Sequence, residues 1–380
     1  KIVIQISYFC KMRYLSANWI YPLHIPPIKE GVIQLSDKGE VVNLFNSRRE
    51  VPSDKLEIFD GVLCPGFVNA HCHLELSHLL GIAEKGNGFL EFAGTIRKRD
   101  DFSEIEKQNE IEKAEQQMID NGIVAVGDIC NTSDTLLQKQ KENLKYYNFI
   151  ETFGVDENKV NTIFAQSMEL RNKFRNAGQK ATIVPHAPYS VPPSLMRKIS
   201  NAFDNKDILL SIHMQETKEE NQLFENKDGI FLDWLIGMNA NKEIWEKRKN
   251  SNYVLKELGR KKIVLVHNTF IQKEDVTDNY YCTCPKANLY IEKMLPDYSI
   301  FDTDKLCVGT DSLASNNTLS ILDELLVIQE NSHFDMDTLL KIACKNGAEA
   351  LGFEKLGTFE KGKNPGVNLI RKLEQVKIIV

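Results

Sequence analysis

Two patterns of hydrophobic and polar positions follow one another along the chain. Residues 12–63 consist of short alternating segments, such as RYLSANWIY and GVIQLSDKGEVVNLF, separated by turn signals. This pattern predicts small antiparallel strands. After Cys64, apolar runs alternate with long charged amphipathic stretches, as they do in repeated βα units. Eight apolar runs predict strands: 64–73, 122–130, 147–154, 180–187, 208–214, 262–268, 279–285 and 305–311.

Eight strand-like runs with helical stretches between most of them predict an α/β protein with a (β/α)8 TIM barrel over residues 64–356. The segment after 356 returns to short strand patterns, GVNLIR and QVKIIV. We therefore expect residues 12–63 and 357–380, from both chain ends, to form one small β-sandwich-like domain. The connection 214–261 between the fifth and sixth runs is unusually long, which favours a lid, although its role does not follow from the sequence.

Composition narrows the class of protein. The chain has 380 residues, 26% charged and 42% hydrophobic, with a net charge of −6. This composition is typical of a folded soluble protein and lacks the basic stripe that binds nucleic acid. No apolar run approaches the ~18–20 residues that cross a bilayer. Eight scattered cysteines in apolar contexts indicate reduced thiols and a cytoplasmic location.

Two further expectations concern the chain's start and its assembly. Residues 1–11 lack the cleavage site of a signal peptide, and they are compatible with an extension upstream of Met12. We expect a small-molecule substrate and no nucleic-acid or membrane partner, and we leave a homodimer open.

Five of the eight histidines lie at the carboxyl ends of predicted strands: His71, His73, His186, His213 and His267. Barrel enzymes place their reacting groups at these strand ends. Because His71 and His73 are one residue apart on a strand, their side chains point to the same face and can chelate one cation.

A candidate metal site follows from the order of strands in a barrel. His213 ends the fifth run, and Asp311 ends the eighth, which neighbours the first when the barrel closes. Three imidazoles and one carboxylate suit one divalent cation, Zn²⁺ with Fe²⁺ as the alternative, and leave a position for water. Asp311 could instead cap a turn. Lys180, the only lysine of the fourth run, lies at its starting end, so a lysine that bridges two ions is not expected.

Glu216 follows His213 by three residues, where it can accept a proton from an activated water and pass it to a departing nitrogen. The alternative is that Glu216 opens the next helix. We expect His267 to hydrogen-bond the attacking water and His186 to face the same cavity. For both histidines the alternative is a core residue.

Other candidates are less specific. Glu75 follows the paired histidines and is expected to line the substrate pocket, with a surface role as the alternative. Arg97 is expected to bind an anionic substrate group, with a solvated helix face as the alternative. Cys282 and Cys284 flank one residue and are interpreted as core positions, because C-x-C without a second pair is a poor zinc signal.

Six motifs in order resemble the metal-dependent amidohydrolase superfamily, in its cytosine deaminase, chlorohydrolase and aminofutalosine deaminase branch: PGFVNAHCHLE, VPHAPYS, HMQET, VLVHN, CPKAN and VGTDSLASNN. The resemblance covers roughly residues 12 to 370. It implies metal ligands at His71, His73, His213 and Asp311. It further implies that Asp311 acts as a base toward water, that Glu216 shuttles a proton, and that His267 polarises the water or the leaving group. Asn288 in CPKAN would shape the loop above strand seven and border the substrate.

The sequence therefore predicts a metal-dependent hydrolase of carbon–nitrogen bonds. We expect it to deaminate an amino-substituted heterocycle or a nucleoside-like substrate, which includes an aminofutalosine-like one, by attack of metal-activated water. The alternatives are a chlorohydrolase or a cyclic amide hydrolase on the same mononuclear site, and a non-catalytic scaffold.

Overall fold

A computed structural model describes residues 12–202, 208–259, 261–371 and 375–380. The expectations for residues 1–11 lie outside the described residues. In chain order, the strands are β1 Arg13–Ser16, β2 Trp19–Ile20, β3 Ile28–Lys29, β4 Val32–Leu35, β5 Val41–Phe45, β6 Leu56–Ile58, β7 Val62–Cys64, β8 Phe67–Cys72, β9 Ile123–Cys130, β10 Lys145–Thr152, β11 Lys180–Pro185, β12 Leu209–Met214, β13 Lys262–His267, β14 Tyr280–Thr283, β15 Leu306–Val308, β16 Asn368–Arg371 and β17 Gln375–Ile378.

The helices alternate with the strands from β8 onward. They are α1 Phe89–Ile96, α2 Glu104–Asp120, α3 Leu136–Lys139, α4 Val160–Asn176, α5 Pro193–Asn201, α6 Lys218–Asn226, α7 Ile230–Gly237, α8 Glu243–Glu246, α9 Tyr253–Leu258, α10 Pro285–Ile291, α11 Ile321–Glu330, α12 Met336–Leu340 and α13 Gly347–Leu351. Within the described ranges, none of these helices combines the length and the apolar character that a membrane span requires.

Helix α2 illustrates why the amphipathic stretches become helices that cover the barrel. The Ser103 side chain accepts a hydrogen bond from the Glu106 backbone amide, and the Glu106 carboxylate accepts one from the Ser103 amide. This reciprocal capping box satisfies amide groups that a helix start leaves without partners. Ile111, Ala114 and Met118 recur at helical spacing and are buried. One face of α2 therefore packs on the strands, and the charged face meets solvent.

Seven of the eight predicted apolar runs contain one of the strands β8 to β15, and the run 147–154 overlaps β10, which begins two residues earlier. Strands β8 to β11 form one parallel sheet, and β12 to β15 form another. The prediction of eight parallel strands with intervening helices is confirmed.

Backbone contacts join the two half-sheets at both seams. Between β11 and β12, the His213 amide donates to the carbonyl of His186 at 2.9 Å. Between β15 and β8, Cys72 and Asp311 form a parallel bridge. Together the halves make the barrel of the predicted fold class.

The second seam requires a glycine. A Cβ atom on Gly309 would lie only 2.7 Å from the carbonyl oxygen of His71, which is closer than real Cβ contacts. Because Gly309 has no side chain, β15 approaches β8 closely enough for the Thr310 amide to donate to that same oxygen at 3.1 Å. The seam places Asp311 next to the paired histidines.

The small β-structure draws on both chain ends, as expected. One sheet has the order β5-β4-β1-β6, and the other has the order β17-β16-β7-β2-β3. Leu15, Ile33 and Leu63 from the first segment share a hydrophobic core with Phe359 and Leu369 from the last. The exact boundaries, 12–63 with 357–380 around a barrel of 64–356, stay a prediction.

The long connection between β12 and β13 forms the helices α6 to α9. Their apolar residues, including Phe231 and Trp245, share a core with Phe89 and Tyr189. The indole nitrogen of Trp245 donates to the carbonyl of Tyr189 at 3.0 Å. Buried Arg248 donates to the Glu257 carboxylate at 2.6 Å and to a carbonyl of the loop after β11. The segment is therefore anchored over the carboxyl end of the barrel.

Candidate active site

Four potential ligand atoms meet at the carboxyl ends of β8, β12 and β15. The Nε2 atom of His73 lies 3.2 Å from Nε2 of His71 and 3.3 Å from Nε2 of His213. The Oδ1 atom of Asp311 lies 3.4 Å from Nε2 of His73 and 3.5 Å from Nε2 of His71. Metal–ligand bonds of about 2.0–2.1 Å in a tetrahedron give edges of about 3.3–3.4 Å. The four distances are close to such edges, so these groups are near enough to one another to share one cation.

Backbone geometry at the strand ends directs these side chains inward. His71 and His73 alternate with Cys72 at the end of β8, so both imidazoles point to the same face. His267 and Asp311 have φ angles of +69° and +56°, in the left-handed region that residues with a Cβ rarely adopt. Such strained positions cluster at active sites, where the surrounding structure holds them.

Burial and neighbouring groups set the protonation of His73, His213 and Asp311. Desolvation lowers the pKa of His73 to about 3 and that of His213 well below its ordinary value, so both imidazoles are neutral at physiological pH. Burial alone would raise the pKa of Asp311, but hydrogen bonding to His71 and the proximity of His73 outweigh it and lower that pKa. The second carboxylate oxygen of Asp311 accepts a hydrogen bond from Ser315. Neutral imidazoles and an ionised carboxylate are the forms that bind metal.

Glu216 and His267 form a pair beside this cluster. The Oε1 atom of Glu216 is 3.6 Å from Nε2 of His267, and the two side chains are 7% and 2% exposed. Burial, followed by the charge of Asp311, raises the pKa of Glu216 well above its ordinary value. A carboxyl group in this environment can hold and release a proton near neutral pH.

Asn288 lies behind His267 and does not line the cavity. Its Oδ1 atom is 2.9 Å from Nδ1 of His267, and burial lowers the pKa of that histidine to about 4. Since an amide oxygen only accepts, the neutral imidazole donates from Nδ1 and presents the Nε2 lone pair to Glu216. The geometry makes Asn288 a residue that orients His267, which differs from the expected position at the substrate.

Glu75 also differs from its expected position at the pocket wall. Its carboxylate accepts hydrogen bonds from the backbone amides of Asn131 and Thr132 at 3.0 and 2.9 Å, and from the Thr132 hydroxyl at 3.0 Å. Burial raises its pKa to about 7. The carboxylate therefore holds the loop after β9 by these hydrogen bonds. Glu75 is not among the described residues that line the cavity.

One cavity of about 870 Å³ opens from this cluster, with His73, His213, Glu216 and Asp311 in its wall. His186 lines it as expected, and its Nδ1 atom is 2.7 Å from the hydroxyl of Ser190. Arg97 lines it as well, together with Arg99 and Lys173. The apolar part of the lining includes Phe89, Phe92, Ile96, Phe153, Trp234 and Met238. The connection between β12 and β13 therefore contributes to the cavity through Trp234 of α7 and through Met238, which follows that helix.

Sequence reasoning missed Glu151 at the end of β10. Its side chain is 6% exposed, lines the cavity, and has Oε1 3.4 Å from Nδ1 of His213. Burial raises its pKa to about 7. The signal lies in the alternation of β10, because Tyr147, Phe149 and Glu151 share the face that points into the barrel.

Cys282 and Cys284 are fully buried in the main hydrophobic core, as predicted. Burial raises the pKa of both thiols, so neither is a thiolate at neutral pH.

Comparison with known proteins supports the motif resemblance. A model of the amidohydrolase family matches residues 62–377. The aminodeoxyfutalosine deaminase of Nitratiruptor sp. is 25% identical over 359 residues, which cover 90% of this chain and 87% of that protein. The adenosine deaminase of Helicobacter pylori is 26% identical over 334 residues, 84% of this chain and 81% of that protein.

Solved structures agree on the fold. The structure of Helicobacter pylori aminofutalosine deaminase in complex with methylthio-coformycin superposes on this chain with a TM-score of 0.79 at 22% sequence identity. The superposition covers 96% of this chain and 97% of the Helicobacter pylori chain. Guanine deaminase from C. acetobutylicum with bound guanine gives a TM-score of 0.73 at 15% identity, covering 95% and 91%. At these identities the superpositions establish the shared architecture.

Proposed function

Because the chain belongs to the amidohydrolase family, metal-dependent enzymes that hydrolyse carbon–nitrogen bonds, we propose that it deaminates an amino-substituted heterocycle of the nucleoside type. The observation that carries this proposal is the close approach of three imidazole nitrogens and one carboxylate oxygen, with the buried Glu216, whose pKa is raised, beside them. The names of the similar proteins support the substrate class, since they include deaminases of adenosine-type compounds.

We propose that His71, His73, His213 and Asp311 bind one divalent cation. Three neutral imidazoles and a carboxylate favour Zn²⁺, and Fe²⁺ is the alternative. When bound, such an ion supplies Lewis acidity that lowers the pKa of water toward neutrality. Lys180 is the first residue of β11, at the opposite end of the strand from these ligands, so it is not placed to bridge two ions, which supports a mononuclear site.

Glu216 is proposed to move the proton. In its carboxylate form it accepts a proton from the attacking water, and it then delivers that proton to a nitrogen of the substrate. Its raised pKa favours the protonated carboxyl, so the group can hold the proton between its transfer from water and its transfer to the substrate. In the overall reaction, water adds across the C=N bond of the heterocycle, and the exocyclic amine then leaves as ammonia.

His267 and Asp311 are proposed to act on the water and on the developing charge. The neutral His267, held by Asn288, presents Nε2 3.6 Å from Glu216, close enough to hydrogen-bond the same attacking group. Asp311, with its lowered pKa, stays ionised and can accept a hydrogen bond or a proton from water.

The cavity has the size of a small-molecule site. Its volume of about 870 Å³ lies within the range of roughly 300–1,000 Å³ for ligand pockets. We propose that His186 contacts the substrate and that Arg97 pairs with an anionic substituent at the outer end. The buried free thiols support the further proposal of a cytoplasmic enzyme, as a monomer or homodimer, and the net charge of −6 argues against nucleic acid.

Metal analysis and an ammonia-release assay test the function together. Purified protein should contain about one divalent ion per chain, release ammonia from adenosine-type nucleosides, and lose activity after chelation. Release of chloride from chlorinated triazines, or ring opening of cyclic amides, without ammonia release would replace this proposal by the corresponding alternative. Protein without metal and without turnover would identify a non-catalytic scaffold.

A further inference from the structure

Four of the eight barrel strands contribute no group to the proposed reaction, and three of these four line the cavity. The groups assigned to metal binding and proton transfer come from β8, β12, β13 and β15. The ends of β9, β10 and β11 contribute Asn131, Glu151 and His186, and all three line the same cavity. We refer to Asn131, Glu151 and His186 as the polar shelf.

The shelf presents a buried carboxylate oxygen that has no hydrogen-bond donor. The Asn131 side-chain amide donates to Oε2 of Glu151 at 3.1 Å, whereas Oε1 has no hydrogen-bond partner among the described residues. The side chain of Glu151 is only 6% exposed. Buried polar atoms are nearly always satisfied, so an exception inside a ligand cavity indicates that the ligand supplies the missing donor.

Glu151 is not needed to orient the metal-ligand candidate beside it. Nδ1 of His213 lies 2.9 Å from the backbone carbonyl of His186, which is a good hydrogen bond, and 3.4 Å from Oε1 of Glu151. A neutral imidazole has one N–H at that position, and the carbonyl receives it. The carboxylate oxygen is therefore left for another donor.

His186 adds a second hydrogen-bonding group to the shelf. Its Nδ1 atom is 2.7 Å from the hydroxyl of Ser190, so Nδ1 has a partner within the protein and Nε2 is left for the ligand. A hydroxyl group both donates and accepts, so it can bond to Nε2 in either tautomer of the imidazole. The carboxylate oxygen and this nitrogen, on neighbouring strands, therefore suit two adjacent hydroxyl groups.

Vicinal hydroxyl groups of a sugar provide such a pair, and a free heterocyclic base has no hydroxyl groups of this kind. We propose that Glu151 is a specificity-determining residue that accepts a hydrogen bond from a sugar hydroxyl and so selects nucleosides over free bases. This inference rests on the proposed deamination, and it adds a residue and a substrate feature to it.

The test compares substrates that differ only in their hydroxyls. Ammonia release is measured with metal-loaded full-length protein on adenosine, 2′,3′-dideoxyadenosine and adenine. The wild type should prefer adenosine to the dideoxy analogue by about 10- to 100-fold in kcat/KM, the range of a hydrogen bond to a charged group. Adenine should be a poorer substrate still.

Glu151→Gln keeps the shape of the side chain. Its amide oxygen can stay with Asn131, so the amide nitrogen, which only donates, faces the substrate hydroxyl. The preference for adenosine should fall to within about threefold, mainly through a higher KM for adenosine, and metal content should not change. Glu151→Ala should show the same loss. Glu225→Gln removes an exposed carboxylate that is not part of the cavity lining and should leave the preference unchanged.

Three results would overturn the inference. An unchanged preference in both Glu151 variants would exclude the hydroxyl contact. An equal fall in kcat on both nucleosides with loss of metal would instead make Glu151 a support for His213. A wild type that deaminates adenine but no nucleoside would refute the inference and leave deamination standing, whereas no ammonia from any of the three substrates would refute both.

Discussion

The side-chain oxygen of Asn288 lies 2.9 Å from Nδ1 of His267 and fixes which nitrogen of that imidazole faces the cavity. Nδ1 donates to the amide, so Nε2 points toward Oε1 of Glu216, 3.6 Å away. A residue of α10 thus controls a hydrogen-bond acceptor beside the proposed proton carrier, although it does not itself reach the substrate pocket.

Asn288→Ala should lower kcat by about tenfold or more with little change in metal content, because His267 loses the contact that orients it. Asn288→Asp keeps an acceptor oxygen and should retain more activity. Its negative charge favours the protonated imidazole, so the acidic limb of the pH–rate profile should move to higher pH. Steady-state kinetics between pH 5 and 9 measure both effects. Identical behaviour of the two variants would contradict the orienting role.

His71→Ala and Asp311→Asn should leave a folded protein with almost no turnover. Each removes one corner of a site whose atoms are 3.2–3.5 Å apart, and a cation with three remaining ligands binds more weakly. Metal content by elemental analysis and far-UV circular dichroism separate loss of metal from loss of fold. Full activity in chelated wild-type protein would eliminate the metal mechanism.

Glu216→Gln should reduce kcat by about 10²–10⁴-fold, the usual contribution of a positioned acid–base group. The amide keeps the size of the side chain and cannot carry the proton, so metal content should be normal. The exposed neighbour Lys218 provides a control, and Lys218→Gln should have wild-type kinetics. Normal turnover in Glu216→Gln would show that another group moves the proton.

A buried ion pair supports the loop that follows the paired histidines. Lys139 and Asp128 are both fully buried and in contact, and the other oxygen of Asp128 accepts a hydrogen bond from the Leu74 amide at 2.8 Å. Lys139→Met should destabilise the protein by about 3–5 kcal/mol, because the carboxylate of Asp128 then lacks its partner.

Denaturant unfolding measures this effect, and a second substitution isolates its cause. The double variant Lys139→Met with Asp128→Asn should recover part of the lost stability, since no unpaired charge remains buried. Lys141→Met breaks an exposed pair with Glu112 and should change stability little. An equally stable Lys139→Met variant would contradict this account.

Stability should fall as pH rises from about 6.5 to 8. Below this interval the buried histidines, whose pKa values are lowered, act in the opposite direction because the unfolded state binds their protons. Burial raises the pKa of Glu324 to about 8, so in this interval the folded state binds a proton that the unfolded state has released. Each such group lowers the free energy of unfolding by up to about 1.4 kcal/mol per pH unit. Glu75, with a pKa of about 7, contributes in the same direction.

Unfolding at pH 6.5 and pH 8 compares wild type with two variants. Glu324→Gln cannot ionise, so it should lose less stability over this interval than wild type. Asp323→Asn changes the neighbouring, more exposed carboxylate and should keep the wild-type slope. A slope that Glu324→Gln leaves unaltered would assign the pH dependence to other groups.

The repeated hydrophobic pattern was sufficient to predict the barrel strands. Runs such as 122–130 and 262–268 carry short apolar stretches between amphipathic helices, and that alternation follows from burial on both faces of a parallel sheet. The same pattern identified the histidines. His213 and His267 end apolar runs, and a polar residue at that position stands out because the rest of the run is hydrophobic.

The remaining contacts depend on distances between loops that periodicity does not encode. Glu75 was expected in the pocket since it follows the paired histidines closely, yet the loop after β9 takes both of its oxygens. Glu151 is a single acid at a strand end, and only the barrel shows that β10 brings it to His213. Lys139 lies on the short helix α3, which brings it into contact with Asp128. The sequence pattern does not predict how this helix packs.

The seams between the two half-sheets have a mechanical consequence. His71 and His73 belong to one half, and His213 and Asp311 belong to the other, so a shared cation would staple the halves at their upper rim. Removal of that ion should therefore increase local opening of the backbone hydrogen bonds at the carboxyl ends of the strands, while the helices stay intact. Amide hydrogens of His213 and Asp311, which cross the two joints, should be the first to exchange faster with solvent deuterium.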